Sequence, residues 1–465
     1  MNAPILWIFL PLALGGFLLL FRHERVLTIL GGTSALILSL IAMFLPIDVA
    51  LGSGVFSFKL AGSLNVLGRS FVLQTADGPL LAILYGLAAM WFFGAESLGL
   101  ARRLIPMGMA ILALLVAALA VRPFLFAAVF IEIAVLLSVP MLLPPKQRPG
   151  RGIVRYLTFQ TLAVPFILFA GWLLAGVETS PGDVALTLQA TAMLALGFAF
   201  LLAVFPLYAW IPMLTEESPP YLIGFLLWVL PQTTALFAMG FLDRYPFLRL
   251  STDLMDTLRV AGLLMIVSAG VWAAFQRHLG RLMGYAAVAE TGFLLTAIGL
   301  GTMSGIQLVF LQMIPRGLGM AVWAMSLSAI QNQVETPRFS KVQGVARVLP
   351  IATMGVIFAH LSAAGFPLLA GFPVRLALLE SLARQSIGLT LWLALGLLGL
   401  MVGAVRTLGV TTLSDAKTGW EFRETRTQLV LIAIGILALI ALGFFPQASQ
   451  FLLKSLPALF ENLGQ

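Results

Sequence analysis

Residues 205–212 read FPLYAWIP, and residues 363–373 read AAGFPLLAGFP. Each lies inside an apolar stretch long enough to cross a bilayer. Proline has no N–H to donate, and its ring clashes with the carbonyl four residues earlier. Both stretches are therefore predicted to be membrane helices broken around Pro206, Pro212, Pro367 and Pro373. Interrupted helices at matching places in two halves mark membrane proteins built from inverted repeats, and Pro206 and Pro367 are about 160 residues apart. Glu132 and Glu290, each within an apolar span, share that offset of about 160 residues. The spacing predicts one five-helix unit over residues 101–243 and a second over 250–411. An odd number of helices per unit would invert the second relative to the first. Residues 1–100 would form a three-helix segment ahead of them, and 412–465 a loop and a last helix.

Composition points the same way. Of 465 residues, 60% are apolar and only 10% charged, against roughly 25% charged in a soluble domain. A water-soluble globule cannot hide that much apolar surface, so the fold class is an all-α polytopic membrane protein. Counting runs of about 20 apolar residues gives about fourteen spans. The first begins with no basic lead-in and runs on into a second, so it is read as a retained helix. The chain has no cysteine, which excludes disulfides, thiolate nucleophiles, Cys-ligated metals and iron–sulfur clusters. The net charge of +8 need not mean nucleic acid, because basic loops in membrane proteins set orientation.

Residues 52–75, GSGVFSFKLAGSLNVLGRSFVLQT, alternate apolar and polar side chains around Gly and Asn. That pattern predicts a small β-hairpin on one membrane face. If loops alternate sides from an outer N-terminus, the inner loops carry Arg22, Arg25, Arg102, Arg103, Lys146, Arg148, Arg151, Arg155, Arg277, Arg281, Arg338, Lys341, Arg347, Lys417, Arg423 and Arg426. The outer loops carry about half as many, which places both termini and the hairpin outside.

A charge at bilayer depth costs at least about 2.5–3.5 kcal/mol, so each one calls for a reason. Glu132, in FLFAAVFIEIAVLLSVP (124–140), is the clearest. Arg316 lies beside Pro315, which should free backbone carbonyls, and Arg375 follows the second break. Glu290 and His360 complete the candidates, whereas Glu380 and Arg406 lie nearer helix ends and can snorkel. These residues read either as a polar axis carrying protons or ions, or as buried pairs holding helices in register. A helix-packing role suits His360 better than a ligand role. The chain has no phosphate-binding glycine loop and no nucleophile beside a base, so no catalytic chemistry, cofactor or metal is expected in it.

Three stretches resemble a known family. GFAFLLAVFPLYAWIPMLTEESPPYLIGFLLWVL (197–230), QRHLGRLMGYAAVAETGF (276–293) and LSAAGFPLLAGFPVRLALL (361–379) are similar to stretches of the antiporter-like membrane subunits of respiratory complex I. That family is related to Mrp antiporter and membrane-bound hydrogenase subunits. Pro206, Trp210, Pro212 and Pro219 match its broken-helix pattern, and Glu132 matches its fifth-span glutamate. The resemblance covers nearly the whole chain. It implies fourteen helices with two inverted five-helix units, and proton translocation coupled to electron transfer in partner subunits. It also implies an energy-coupling membrane such as the bacterial plasma membrane.

The chain departs from the family where protons are usually relayed. The seventh-span lysine is replaced by Leu201, and the histidine after Pro-Phe by Tyr208. The eighth-span lysine falls near Pro231 and Gln232, and the tenth-span histidine is Glu290. Arg316 and Arg375 stand for two further lysines. Arginine does not give up its proton in proteins. The resemblance thus implies an antiporter-like subunit of a complex-I-like NADH:quinone oxidoreductase whose key lysines are replaced. The alternatives are a non-conducting structural subunit of such a complex, or a membrane subunit of an inorganic-carbon uptake complex. Other membrane subunits and the lipid bilayer are the implied partners, with no nucleic acid.

Overall fold

A computed structural model describes residues 2–51, 58–143, 148–180, 182–413, 421–460 and 462–463. Lys146, Lys417 and residues 52–57 of the expected hairpin lie outside them. Among the described residues the chain is mostly helical, and eleven helices are long and apolar enough to cross a membrane. Two shorter apolar helices, Ile5–Leu18 and Pro350–Ala363, accompany them. The chain is an integral, multi-pass membrane protein.

The helices form an inner and an outer set. In Pro220–Arg244, 89% of the apolar window is buried, and in Ala101–Ala120 and Met303–Gln331 it is 83%. In Val184–Leu201 only 22% is buried, and in Arg426–Phe444 28%. The inner helices pack on protein on all sides, whereas the outer ones turn apolar faces to lipid. Lipid tails are as apolar as leucine, so burial alone does not hold such helices together, and close backbone packing does. Thr252–Phe275 meets Ile387–Thr412 through Gly270, Gly396 and Gly399. A Cβ on Gly270 would collide with the Gly396 carbonyl oxygen.

Both expected breaks are present. Helix Val184–Leu201 ends at a left-handed residue, Ala203 (φ 50°), before a cis Phe205–Pro206 bond and the short helix Trp210–Glu217. Helix Pro350–Ala363 ends at left-handed Gly365 (φ 77°) before helix Phe372–Ala383. The two ends share one hydrogen-bond pattern. Ala203 N–H donates to Phe200 O (3.2 Å) and Val204 N–H to Ala199 O (2.9 Å). Gly365 N–H donates to Ser362 O (3.1 Å) and Phe366 N–H to Leu361 O (2.9 Å). This pair of bonds is the Schellman termination, in which the left-handed residue lets the chain turn back to satisfy the helix's last carbonyls. Pro212 and Pro373 then sit in the first turn of the following helix, where a missing N–H leaves no bond unmade.

The sheet is larger than a hairpin. Ser63–Val66 pairs antiparallel with Arg69–Val72, as the alternation predicts. A third strand, Val121–Arg122, adds to Arg69–Val72. Two residues between apolar spans carry no alternation to read, so this strand had no signal. A separate pair, Ala50–Leu51 with Phe58–Lys59, lies beside it in sequence.

The basic loops gather on one face. Gln428 Nε2 donates to Ser97 O (2.8 Å), Gly152 N–H to Glu217 (2.7 Å), and Leu279 N–H to Pro337 O (2.9 Å). The opposite end carries the sheet and the Arg244–Glu178 ion pair at 3.1 Å.

Candidate functional site

Glu290 lies midway along helix Leu279–Ile298 and is buried. One carboxylate oxygen accepts from Arg375 Nη2 and the other from Gln312 Nε2. Gln312 Nε2 also donates to the Glu290 backbone carbonyl (3.0 Å). Arg375 sits in the first turn of Phe372–Ala383, directly after the second break. A cation at a helix N-terminus opposes the helix dipole, and the facing Glu290 carboxylate offsets that cost. The Arg375 guanidinium also covers the ring of Phe293, 4.6 Å from its centroid. Glu290 and Phe293 are one turn apart, so anion and ring lie on the same helix face.

Arg316 is held by a different device. Its Nη2 donates to Leu227 O and to Thr291 Oγ1, both at 3.0 Å. Leu227 belongs to helix Pro220–Arg244, four residues before Pro231. Proline supplies no N–H to the carbonyl four residues back, so Pro231 leaves Leu227 O free for the guanidinium. Pro315, beside Arg316, is expected to free backbone carbonyls; the carbonyl that Arg316 bonds is the one freed by Pro231 on a neighbouring helix, which an arginine side chain reaches by extending outward from its own.

Glu290, Arg316 and Arg375 together line a cavity of about 20 Å³, along with Trp323, Ser362 and Gly371. That is room for about one water molecule. Two guanidiniums face one carboxylate, so the cluster carries a surplus positive charge. The Nε and Nη1 atoms of both arginines have no protein hydrogen-bond partner, so donors exceed acceptors.

Two candidates stand apart from this cluster. His360 is fully buried on Pro350–Ala363, its ring 4.5 Å from that of Trp323 at 31°. Trp323 lines the cavity and His360 lies behind it, with neither ring nitrogen bonded to protein. Glu132, on Ala127–Leu142, is half-buried and accepts from Thr161 Oγ1 at 2.7 Å. Its Oε2 has no protein partner. Close by, the Tyr156 and Ser138 hydroxyls are hydrogen-bonded at 2.8 Å. The backbone carbonyl of buried Leu201 accepts from Gln160 Nε2 at 3.2 Å.

Sequence reasoning missed Gln312, Thr291 and Ser362. Gln312 had a readable signal, being an amide four residues ahead of Arg316 in an apolar span, and therefore on the same face. Ser362 Oγ accepts the Gly371 N–H at 3.1 Å and closes the second break, a role that depends on the loop's path.

Residues 177–401 match the family described as NADH:quinone oxidoreductase/Mrp antiporter, TM. NADH-quinone oxidoreductase subunit N of Mycobacteroides abscessus is 25% identical over 307 residues, covering 60% of this chain and 55% of that protein. The chain spans about half the length of several such curated relatives. A chain of respiratory complex I from Thermus thermophilus superposes with a TM-score of 0.78 at 19% identity, over 99% of this chain and 100% of that one. A chain of the Mrp complex from Dietzia sp. superposes with a TM-score of 0.81 at 16% identity, over 98% and 97%. The broken helices, the buried membrane carboxylates and these likenesses agree: residues 177–401 are similar to the family shared by NADH:quinone oxidoreductases and Mrp antiporters, and the whole chain has the fold of its antiporter-like membrane subunits.

Proposed function

We propose that the chain is an antiporter-like subunit of a complex-I-like NADH:quinone oxidoreductase, set among other membrane subunits. In this reading its proton path rests on carboxylates and water rather than on lysines. The observation that carries the proposal is the buried Glu290 carboxylate between Arg375 and Gln312 at the second break. A relay group must take up and release protons within a few kcal/mol. Arginine holds its proton too tightly for that exchange. Glu290 and Glu132 are the carboxylates that remain on the expected axis, and the cavity beside Glu290 has room for water. Arg316 and Arg375 supply fixed positive charge beside it.

The same proposal includes about fourteen spans and two inverted units with the boundaries 101–243 and 250–411. The matching Schellman terminations at Ala203 and Gly365 support it, as does the shared offset of about 160 residues. The gathering of basic loops on one face supports a cytoplasmic assignment of that face, with both termini outside.

Glu132→Gln and Arg375→Lys, measured as protons moved per electron in the reconstituted complex, test the function. A fall in that ratio for Glu132→Gln is expected. An unchanged ratio would make the chain a non-conducting scaffold. Arg375→Lys restores a titrating cation and should shift the pH dependence of pumping; no shift would remove Arg375 from the path.

A further inference from the structure

A second polar cavity, of about 600 Å³, opens on the face that gathers the basic loops. Arg277, His278, Arg281, Arg338 and Arg406 line it, against a single carboxylate, Glu216. Glu216 is already engaged, by Arg281 at 2.5 Å and Arg338 at 3.4 Å. Arg406 donates to the Ala274 carbonyl and lies over Phe339, 5.6 Å from its ring centroid. Arg277 is exposed; its backbone carbonyl accepts the Phe339 N–H at 2.9 Å, and its guanidinium has no partner among the described residues. His278 Nδ1 accepts the N–H groups of Gly280 (3.1 Å) and Arg281 (3.4 Å), so the helix start offers those donors to nothing else. The cavity is thus a cup of guanidinium groups in excess of their one anion. Guanidinium forks match the paired oxygens of a phosphate.

A second feature says which phosphate. Close to this cup in sequence, Trp272 and Phe275 at the end of one helix and Val405 and Leu408 near the end of the other are exposed. Phe275 is the most open of them, at 74%. Arg406 faces the neighbouring helix, where it donates to Ala274 O, and Val405 beside it turns about 100° away to the exposed side, so the charge borders the apolar face of one helix. A free phosphate uses only the cup; a phospholipid uses both, and basic cups between membrane helices suit anionic headgroups.

We propose that this cavity holds the phosphate headgroup of an anionic phospholipid, with an acyl chain lying along the exposed Phe275 and Val405. The site is separate from the Glu290 cluster and does not depend on whether that cluster conducts.

The test uses the full chain, delipidated in a neutral detergent. Retained lipid is read by native mass spectrometry after titration with phosphatidylglycerol, phosphatidylcholine or inorganic phosphate. Phosphatidylglycerol should be held in clear preference to phosphatidylcholine. The preference should fall about five-fold for each guanidinium removed, in Arg277→Gln and Arg406→Gln. The exposed Arg277 guanidinium has no partner to lose among the described residues, and Arg277→Gln keeps the backbone bond to Phe339, so its variant keeps the test decisive even where Arg406→Gln does not fold. Arg384→Gln, a charge removal outside the cavity, should leave the preference intact. Equal retention of the two lipids overturns the proposal. So does a preference unchanged in Arg277→Gln, or inorganic phosphate displacing the lipid at equal concentration, which would make the cup a free-anion site.

Discussion

Removing Glu290 should harm the protein more than removing Arg375, although the two form one ion pair. Their carboxylate and guanidinium are both almost fully buried. Two unit charges in contact at about 4 Å interact by about 4 kcal/mol at an effective dielectric of about 20. Breaking a buried pair by deleting one partner typically costs about 3–5 kcal/mol, because the survivor is stranded. The pair is not alone, however: Arg316 lines the same cavity. Glu290→Gln leaves two guanidiniums with no anion, so its cost should reach the top of that range, about 5 kcal/mol. Arg375→Gln leaves one cation and one anion sharing the cavity, so its cost should lie at or below about 3 kcal/mol. Equilibrium unfolding of the full chain in mixed micelles, run as a double-mutant cycle, measures both costs and their coupling. An Arg375→Gln variant as destabilised as Glu290→Gln would refute the reasoning from surplus charge. A coupling below about 0.5 kcal/mol would refute the ion pair itself.

Three further outcomes follow from local geometry. His278, in the loop that starts its helix, is held below its usual pKa of 6.5 by burial, with Arg281 and Arg338 adding to the effect and Glu216 opposing it. The unfolded chain therefore binds the proton first. Stability should be full above about pH 6.5 and fall with pH below it, by at most about 1.4 kcal/mol per unit, with His278→Gln flattening the slope in a pH series of melts. Ala203 carries a side chain at φ 50°, a conformation that costs an L-residue about 1–2 kcal/mol. Ala203→Gly should raise stability by about 0.5–1 kcal/mol after the entropy that glycine loses on folding, and a loss of stability would contradict the Schellman geometry. Gly270→Val should force the Thr252–Phe275 and Ile387–Thr412 helices apart and lower the yield of monodisperse protein, read by fluorescence-detected size exclusion.

What could be read from the sequence depended on how locally each feature is specified. Apolar runs, and prolines within them, act on their own helix, so the polytopic helical class and both breaks were legible. Glu290, Arg316 and Arg375 stood out because a charge in an apolar run is conspicuous whatever surrounds it. Their pairing was not legible, because it needs three helices to be brought together. Gln312 went unnoticed because an amide is less conspicuous than a charge, yet it completes the hydrogen bonding of Glu290. His360, which precedes the break and for which a helix-packing role was the better reading, packs its ring on Trp323, and Trp323 lines the cavity. The hairpin was visible through its alternation. Its third strand, Val121–Arg122, is recruited by proximity and leaves no trace in two residues.

The contact between Arg316 and the Leu227 carbonyl joins residues 89 positions apart, and a proline at a third position makes it possible. Within a bilayer neither group has bulk water to fall back on. If Pro231 were exchanged for alanine, the restored N–H would compete for Leu227 O, and the arginine would lose an acceptor. If Arg316 were exchanged instead, the carbonyl exposed by Pro231 would have no donor. Each substitution alone is a cost and the two together relieve it, so drift at one site opens the way to drift at the other. Among descendants of a common ancestor, the proline and the arginine should be inherited, or surrendered, as a single trait.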